Sequence, residues 1–143
     1  MLVKRVVLVN PQPIYRAGLR VAIEAAGGFV VVGEASSGYQ AMQEAERTRP
    51  NLMLIDIDLP GMSGYAIASA LLNAVPGRSA ILLSEEVDHE TYDRAVACGA
   101  AGAISSRMAP DQLVRILRRV AREQPLFWEP EALPARRHQI GHR

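Results

Sequence analysis

The sequence is poor in cysteine and in long hydrophobic runs, and each shortage excludes a class of protein. Cys98 is the single cysteine among 143 residues, so an intramolecular disulfide framework and a multi-cysteine metal site are both excluded. No apolar run reaches the roughly 18 residues that a membrane span needs. Lys4 and Arg5 interrupt the region where a signal peptide would need its apolar segment. We therefore expect a cytoplasmic protein with no membrane partner.

Lysine is almost absent, although basic residues are not. Lys4 is the only lysine, and all the other basic residues are arginines. A mechanism that needs a side-chain ammonium can therefore draw on Lys4 alone. The 16 basic and 15 acidic residues give a formal net charge of +1, which lacks the strongly basic footprint of a nucleic-acid binder. We expect no direct nucleic-acid contact by this domain.

What the chain does contain is a repeated alternation of apolar runs and amphipathic stretches. The patterns predict strands at 4–9, 29–35, 52–55, 80–83 and 102–105, and helices after Pro13 and over 39–49, 65–74, 89–97 and 110–123. Such alternation predicts an α/β fold with a doubly wound, parallel five-stranded sheet. Three prolines break residues 124–143, so the domain is predicted to span 1–123 and to be followed by a Pro/Arg-containing tail or linker stub.

Polar residues follow four of the predicted strands, at the sheet edge where such folds place their binding groups. They are Asn10 and Pro11, Asp56, Ser84, and Ser105 with Ser106. A carboxylate next to hydroxyl groups indicates phosphoryl chemistry, with Asp56 as nucleophile or acceptor. The alternative is that Asp56 only caps the loop that follows it, since aspartate favours turns.

Five segments, in chain order, carry a resemblance to a known family. They are 13–19 (PIYRAGL), 31–35 with Gly38 (VVGEA), 50–64 (PNLMLIDIDLPGMSG), 99–104 (GAAGAI) and 110–113 (PDQL). Together they resemble the receiver domain of two-component response regulators, in particular the NarL/FixJ subfamily. The resemblance covers about residues 4–123. It implies a flavodoxin-like (βα)5 fold with strand order 2-1-3-4-5.

The resemblance also implies roles for particular positions. Asp56 takes the position of the aspartate that accepts a phosphoryl group from a histidine kinase, and Ser84 takes that of a phosphoryl-binding hydroxyl. Asp58 takes the position whose backbone carbonyl binds magnesium. In that family two acidic residues after the first strand supply the other magnesium ligands, a lysine after the fifth strand binds the phosphoryl group, and an aromatic residue changes rotamer with the state.

This chain departs from the family pattern at most of those positions. Asn10 and Pro11 replace the acidic pair, Ala103 replaces the aromatic residue, and Ser106, next to Arg107, replaces the lysine. Magnesium prefers carboxylates and waters, so we expect no cofactor and weak or absent Mg²⁺ binding. We predict an atypical receiver that works independently of phosphorylation, with a partner or a small-molecule ligand as its input. The alternative is a working phosphoacceptor that uses Asp56.

An enzymatic interpretation remains as a remote alternative. The Asp56–Asp58 spacing after an apolar strand also matches aspartate-nucleophile phosphatases of the haloacid dehalogenase type, in which the second aspartate is the general acid. Those enzymes need a lysine and a further acidic pair, so we predict that the chain is not an enzyme.

Four arginines recur at helical spacing on the last predicted helix: Arg115, Arg118, Arg119 and Arg122. Such a stripe is either a solvated helix face or a contact surface. Because receivers of the resembled family associate through their first and last helices, we expect a homodimer in which this stripe takes part. In that family the tail leads to a helix-turn-helix DNA-binding domain. We therefore expect a truncated transcription regulator rather than a stand-alone receiver.

Overall fold

The computed structural model describes residues 3–122, and the predicted tail at 124–143 lies outside the described residues. The elements, in chain order, are β1 Lys4–Val9, α1 Pro13–Ala25, β2 Phe29–Ala35, α2 Gly38–Thr48, β3 Leu52–Asp56, β4 Asp58–Leu59, β5 Met62–Ser63, α3 Gly64–Ala74, β6 Ser79–Ser84, α4 His89–Ala97, β7 Gly102–Ser105 and α5 Pro110–Ala121.

Five of the strands form one parallel sheet, as the sequence predicted. Its order is β2-β1-β3-β6-β7. When these five strands are numbered among themselves, this is the order 2-1-3-4-5, so the flavodoxin-like topology is confirmed. In that order β1 and β3 are neighbours, and the chain reverses direction across the sheet between them, which is where such folds place their ligands.

The core is built on continuous apolar runs within the strands. Residues 6–9 of β1 and 52–55 of β3 are buried, and helices cover both faces of a sheet of this kind. On α5 the buried side chains recur at helical spacing: Leu113, Ile116, Leu117 and Val120. None of the helices within residues 3–122 is both long and apolar enough to cross a membrane.

The structure departs from the predicted elements in a few places. The segment after Asp56, predicted as a loop, contains a small antiparallel hairpin in which β4 pairs with β5 around Gly61. Hairpin strands of two residues are too short to produce a periodic sequence pattern. Helix α2 ends at Thr48 because Arg49 adopts a left-handed conformation, with φ of 50°. The last described helix ends at Ala121 rather than at residue 123.

Candidate functional site

Asp56 is the last residue of β3 and lies at the carboxyl edge of the sheet. The backbone around it is tightly held, because the Ile57 N–H donates to the Leu83 carbonyl at 3.0 Å and the Gly64 N–H donates to the Ile57 carbonyl at 2.9 Å. Gly64 packs directly on this segment. A Cβ atom at Gly64 would lie 2.2 Å from the Asp56 carbonyl oxygen, which no side chain tolerates. The glycine therefore fixes where Asp56 is presented.

Both oxygens of the Asp56 carboxylate accept hydrogen bonds from neutral donors of this chain. The Asn10 side-chain amide donates to Oδ2 at 2.9 Å, and the Asp58 backbone N–H donates to Oδ1 at 2.7 Å. Asn10 is buried and Asp56 is half-buried. Charge-assisted hydrogen bonds of this kind stabilise an ionised carboxylate without a cation.

The orientation of the Asn10 amide follows from its second hydrogen bond. The Gln12 backbone N–H donates to Asn10 Oδ1 at 2.8 Å, so this oxygen must face Gln12 and the amide nitrogen must face Asp56. Exchanging the two would place a donor against the Gln12 N–H. Asn10 is thus held as a donor to Asp56.

Burial dominates the electrostatics of Asp56. It raises the pKa of the carboxyl above its usual range, since the charged form loses hydration. The hydrogen bond from the Asp58 N–H opposes this shift, and the negative charge of Asp58 adds to it. Burial and the Asp56 charge likewise raise the pKa of the neighbouring Tyr15.

The residues around Asp56 do not fit a magnesium ion. Mg²⁺ needs oxygen ligands in octahedral geometry, yet Asn10 turns an N–H donor towards the carboxylate and Pro11 offers no side-chain ligand. Asp58, the second carboxylate, is exposed. Within residues 3–122 there is no group of three or more His, Cys, Asp or Glu side chains that could hold a metal ion.

The structure places the remaining predicted site residues in different surroundings. The Ser106 N–H donates to the Ser84 carbonyl at 2.8 Å, so these two residues meet. The Ser84 hydroxyl turns to the Glu86 carbonyl at 2.8 Å. Ala103 is buried inside β7. Arg107 is exposed and pairs with Glu85 at 2.7 Å, so its guanidinium is engaged away from Asp56.

A charged network on α1 and β2 borders the site, and no sequence pattern predicted it there. Arg16 donates to the Asn10 backbone carbonyl at 2.5 Å and pairs with Glu34 at 2.9 Å. Arg20 reaches the same Glu34 at 2.8 Å. Burial opposes ionisation of Glu34, but the hydrogen bonds from the two arginines outweigh it and lower the pKa of this carboxyl.

Of the predicted arginine stripe, Arg118 is engaged within the chain. Its guanidinium donates to the Ala26 carbonyl at 2.6 Å, at the carboxyl end of α1, where a cation complements the helix dipole. Glu24 and Glu44 pair with Arg20 and Arg47, which lie outside the stripe.

Comparison with known proteins decides the family. The sequence model described as the response regulator receiver domain matches residues 6–118. This chain belongs to that family. It is a receiver domain, and we call the sheet edge around Asn10, Asp56 and Ser84 its acceptor site.

Individual relatives place the receiver among NarL-type response regulators. It is 30% identical over 123 residues to the transcriptional regulatory protein YxjL of Bacillus subtilis, covering 86% of this chain and 56% of that protein. It is 31% identical to the nitrate/nitrite response regulator NarL of Escherichia coli, covering 81% of this chain and 54% of NarL. The chain thus spans about half the length of these curated relatives.

Solved structures agree with this placement. The signal receiver domain of a putative response regulator NarL from Mycobacterium tuberculosis has a TM-score of 0.80 and 27% identity, covering 85% of this chain and 98% of that one. A LuxR-family two-component response regulator from Aurantimonas has a TM-score of 0.82 at 24% identity, covering 86% and 88% of the two chains, which supports the fold.

Proposed function

We propose that this receiver relays its signal without phosphorylation of Asp56, as the regulatory domain of a transcription regulator. The observation that carries the proposal is the Asn10 amide, which occupies Asp56 Oδ2 at 2.9 Å and is held in that orientation by the Gln12 N–H. A phosphoryl group approaching a carboxylate meets like-charge repulsion, which a bound cation normally offsets by several kcal/mol. The acceptor site offers an amide where that cation's ligands would be.

The missing lysine supports the same proposal. At the family's lysine position stands Ser106, and the chain's only lysine, Lys4, begins β1 at the opposite edge of the sheet. No side-chain ammonium is therefore available to bind a phosphoryl group on Asp56. Each 1.36 kcal/mol of lost transition-state stabilisation slows the transfer tenfold, so the loss of both features predicts a rate lower by orders of magnitude.

The test is phosphoryl uptake from acetyl phosphate with Mg²⁺, followed by intact-protein mass. We expect no mass gain for the natural sequence over hours. The triple variant Asn10→Asp, Pro11→Asp, Ser106→Lys restores the family pattern and should gain one phosphoryl group, which shows that the assay and the fold are competent. Uptake by the natural sequence that disappears in Asp56→Asn would overturn the proposal.

The second candidate is a working phosphoacceptor, which the presence and half-buried placement of Asp56 favour. Under that function the natural chain takes up phosphate and a histidine kinase is its partner. The phosphatase alternative lacks the lysine and the further acidic pair that it needs, and no turnover of an aryl phosphate is expected. We therefore propose that the receiver has a signalling function and catalyses no reaction on a substrate.

Transcriptional control and a cytoplasmic location are part of the proposal. Support comes from the relatives, whose names describe a transcriptional regulatory protein and a nitrate/nitrite response regulator. Because those proteins are about twice as long as the matched region, contact with DNA would belong to a further domain. Fusing this receiver to such a domain and measuring operator binding with and without acetyl phosphate checks the claim. A receiver that leaves operator binding unaffected would contradict transcriptional control, and a large phosphate-dependent gain would contradict phosphorylation-independent signalling.

We also propose that two copies associate through α1 and α5. Two apolar side chains on α1, Ile14 and Val21, are 89% and 69% exposed. The arginine stripe of α5 lines a surface depression together with Ala22, Ala25 and Ala26 at the end of α1. The charge reversal Arg118→Glu would also remove the contact with the end of α1, so Val21→Arg is the cleaner variant. We expect sedimentation to show a dimer that Val21→Arg dissociates and that the exposed control Val96→Arg on α4 leaves intact. A monomer at high concentration would refute this.

A further inference from the structure

A cavity of about 310 Å³ lies between α1, the carboxyl ends of β6 and β7, and the first turn of α5. Buried side chains from three elements form its floor, namely Leu19, Leu83 and Leu113. Gly18 and Met108 belong to its rim. The volume falls at the lower end of the range of small-molecule sites, which is about 300–1,000 Å³.

The chemistry of the lining selects an uncharged occupant. Every described residue that lines the cavity is uncharged, and most are apolar. By contrast, the next surface depression along α1 and α5 is lined by Arg115, Arg118, Arg119 and Arg122. A charged molecule entering the first cavity would lose hydration without gaining an ion pair, whereas an apolar one gains by leaving water.

One polar group in the lining is left for a ligand. Within residues 3–122 the Ser106 hydroxyl makes no hydrogen bond, although its backbone N–H and carbonyl are both used. The neighbouring hydroxyl of Ser105 is occupied, since it donates to the Glu85 carbonyl at 3.0 Å. An apolar cavity with one available hydroxyl is the usual pattern of a site that orients a small ligand.

We propose that this cavity binds a compact, uncharged and mostly apolar small molecule that hydrogen-bonds to the Ser106 hydroxyl. Its wall is connected to the acceptor site. The Tyr15 hydroxyl donates to the Ser106 carbonyl at 3.1 Å, and the Ser106 N–H donates to the Ser84 carbonyl at 2.8 Å. A ligand that contacts Ser106 therefore acts on the same loop that follows β7 at the acceptor edge. Binding itself does not depend on whether Asp56 accepts phosphate.

Gly18 provides a variant that blocks the cavity and leaves the fold intact. It lies inside α1, and a Cβ atom there would meet nothing within 4 Å. Leucine is also a much better helix former than glycine. Gly18→Leu should therefore fill the rim without strain. The matched control is Ala17→Leu, which adds a similar side chain at an exposed α1 position outside the cavity lining.

The experiment titrates the full 143-residue chain with indole, phenol and cyclohexanol and follows the backbone amide shifts by ¹H–¹⁵N NMR. We expect saturable shifts for Gly18, Ser106 and Met108 with at least one of these probes. Gly18→Leu should weaken binding at least about tenfold and Ala17→Leu should not change it. Ser106→Ala should weaken it about fivefold, the equivalent of one hydrogen bond.

Three results would overturn the proposal. The first is the absence of saturable shifts with all three probes. The second is binding that Gly18→Leu leaves unchanged. The third is a loss of the probe-induced shifts in Val21→Arg, the variant expected to dissociate the dimer, which would assign the cavity to the interface between two copies of the chain. Phosphate uptake is not measured here, so a failure of this proposal is distinguishable from a failure of phosphorylation-independent signalling.

Discussion

Two carboxylates at the same end of the sheet, Asp56 on β3 and Glu34 on β2, are held in opposite ways. Asp56 accepts from an amide and a backbone N–H, both neutral, and burial raises its pKa. Glu34 is paired with Arg16 and Arg20 at 2.9 and 2.8 Å, and its pKa is lowered despite burial. Two cations at this end of the sheet, Arg16 and Arg20, are thus paired with Glu34 rather than with Asp56.

Arg16 links the surroundings of the two carboxylates. Its guanidinium donates to the Asn10 backbone carbonyl, and its charge is balanced by Glu34. The Asn10 side-chain amide in turn donates to Asp56 Oδ2. The Asp56 carboxylate is therefore held by hydrogen bonds from neutral groups of this chain.

The largest expected effect comes from moving Asp56 itself. Gly64→Ala places a Cβ against the Asp56 carbonyl oxygen, so we expect a loss of about 3 kcal/mol of unfolding free energy, as for severe overpacking. Gly18→Ala is the control, because its added Cβ has open space and helix propensity favours it by up to about 1 kcal/mol. Urea unfolding of both variants measures this. Equal stabilities would show that Gly64 does not fix Asp56.

The second prediction concerns a variant that places a second carboxylate beside Asp56. Asn10→Asp keeps an acceptor for the Gln12 N–H but turns a carboxylate oxygen towards Asp56 Oδ2. We expect a loss of about 2 kcal/mol at pH 7, from the lost hydrogen bond and the repulsion. Added Mg²⁺ should restore part of this in the variant and should not stabilise the natural protein.

The pH dependence of that variant has a definite sign. Repulsion raises the folded-state pKa of the coupled carboxyls above the unfolded value of about 3.9. The repulsive part of the deficit is therefore absent below the unfolded pKa, and it is lost stability that grows as pH rises through the folded pKa. Asn51→Asp, whose side-chain oxygen accepts from the Arg5 N–H at the other edge, is the control. A deficit that is the same at pH 3.5 and 7 would contradict this account.

A smaller effect is expected at the other carboxylate. Glu34→Gln removes the partner of Arg16 and Arg20, and because Arg20 is 47% exposed, solvent screening limits the loss to about 1 kcal/mol at pH 7. Since the Glu34 pKa is lowered in the folded state, its contribution is present above the ordinary value of 4.5 and is lost as pH falls through the folded pKa. Thermal unfolding against pH, with Glu46→Gln at an exposed position of α2 as the control, checks this. If the loss of unfolding free energy in Glu34→Gln grows as pH falls, the Glu34 pKa is raised rather than lowered in the folded state, and the contrast with Asp56 is wrong.

Much of this fold was predictable because its signals are local. The continuous apolar runs of β1 and β3 can only be buried strands, and Pro110 begins α5 where a missing N–H costs nothing. The residue types at the acceptor edge, above all Asn10 and Ser106, also follow directly from chain position once the strands are known.

What the sequence could not predict depends on contacts between distant segments. The direction of the Asn10 amide is set by the Gln12 N–H, and the partner of Arg16 is set by the pairing of β1 with β2, which brings Glu34 to the same edge. Arg118 was predicted as part of an exposed stripe, but the packing of α5 against α1 gives it carbonyl partners. In each case several partners are possible from the sequence, and the tertiary structure determines which one is in reach.

The most direct test of the central claim, that the acceptor site is closed to a phosphoryl group, is ¹⁹F NMR of the receiver with beryllofluoride and Mg²⁺. Beryllofluoride binds a competent acceptor carboxylate as a phosphoryl mimic. We predict no bound ¹⁹F resonance for the natural sequence and a bound resonance for the Asn10→Asp, Pro11→Asp, Ser106→Lys variant. A bound resonance in the natural sequence that Asp56→Asn removes would contradict the account.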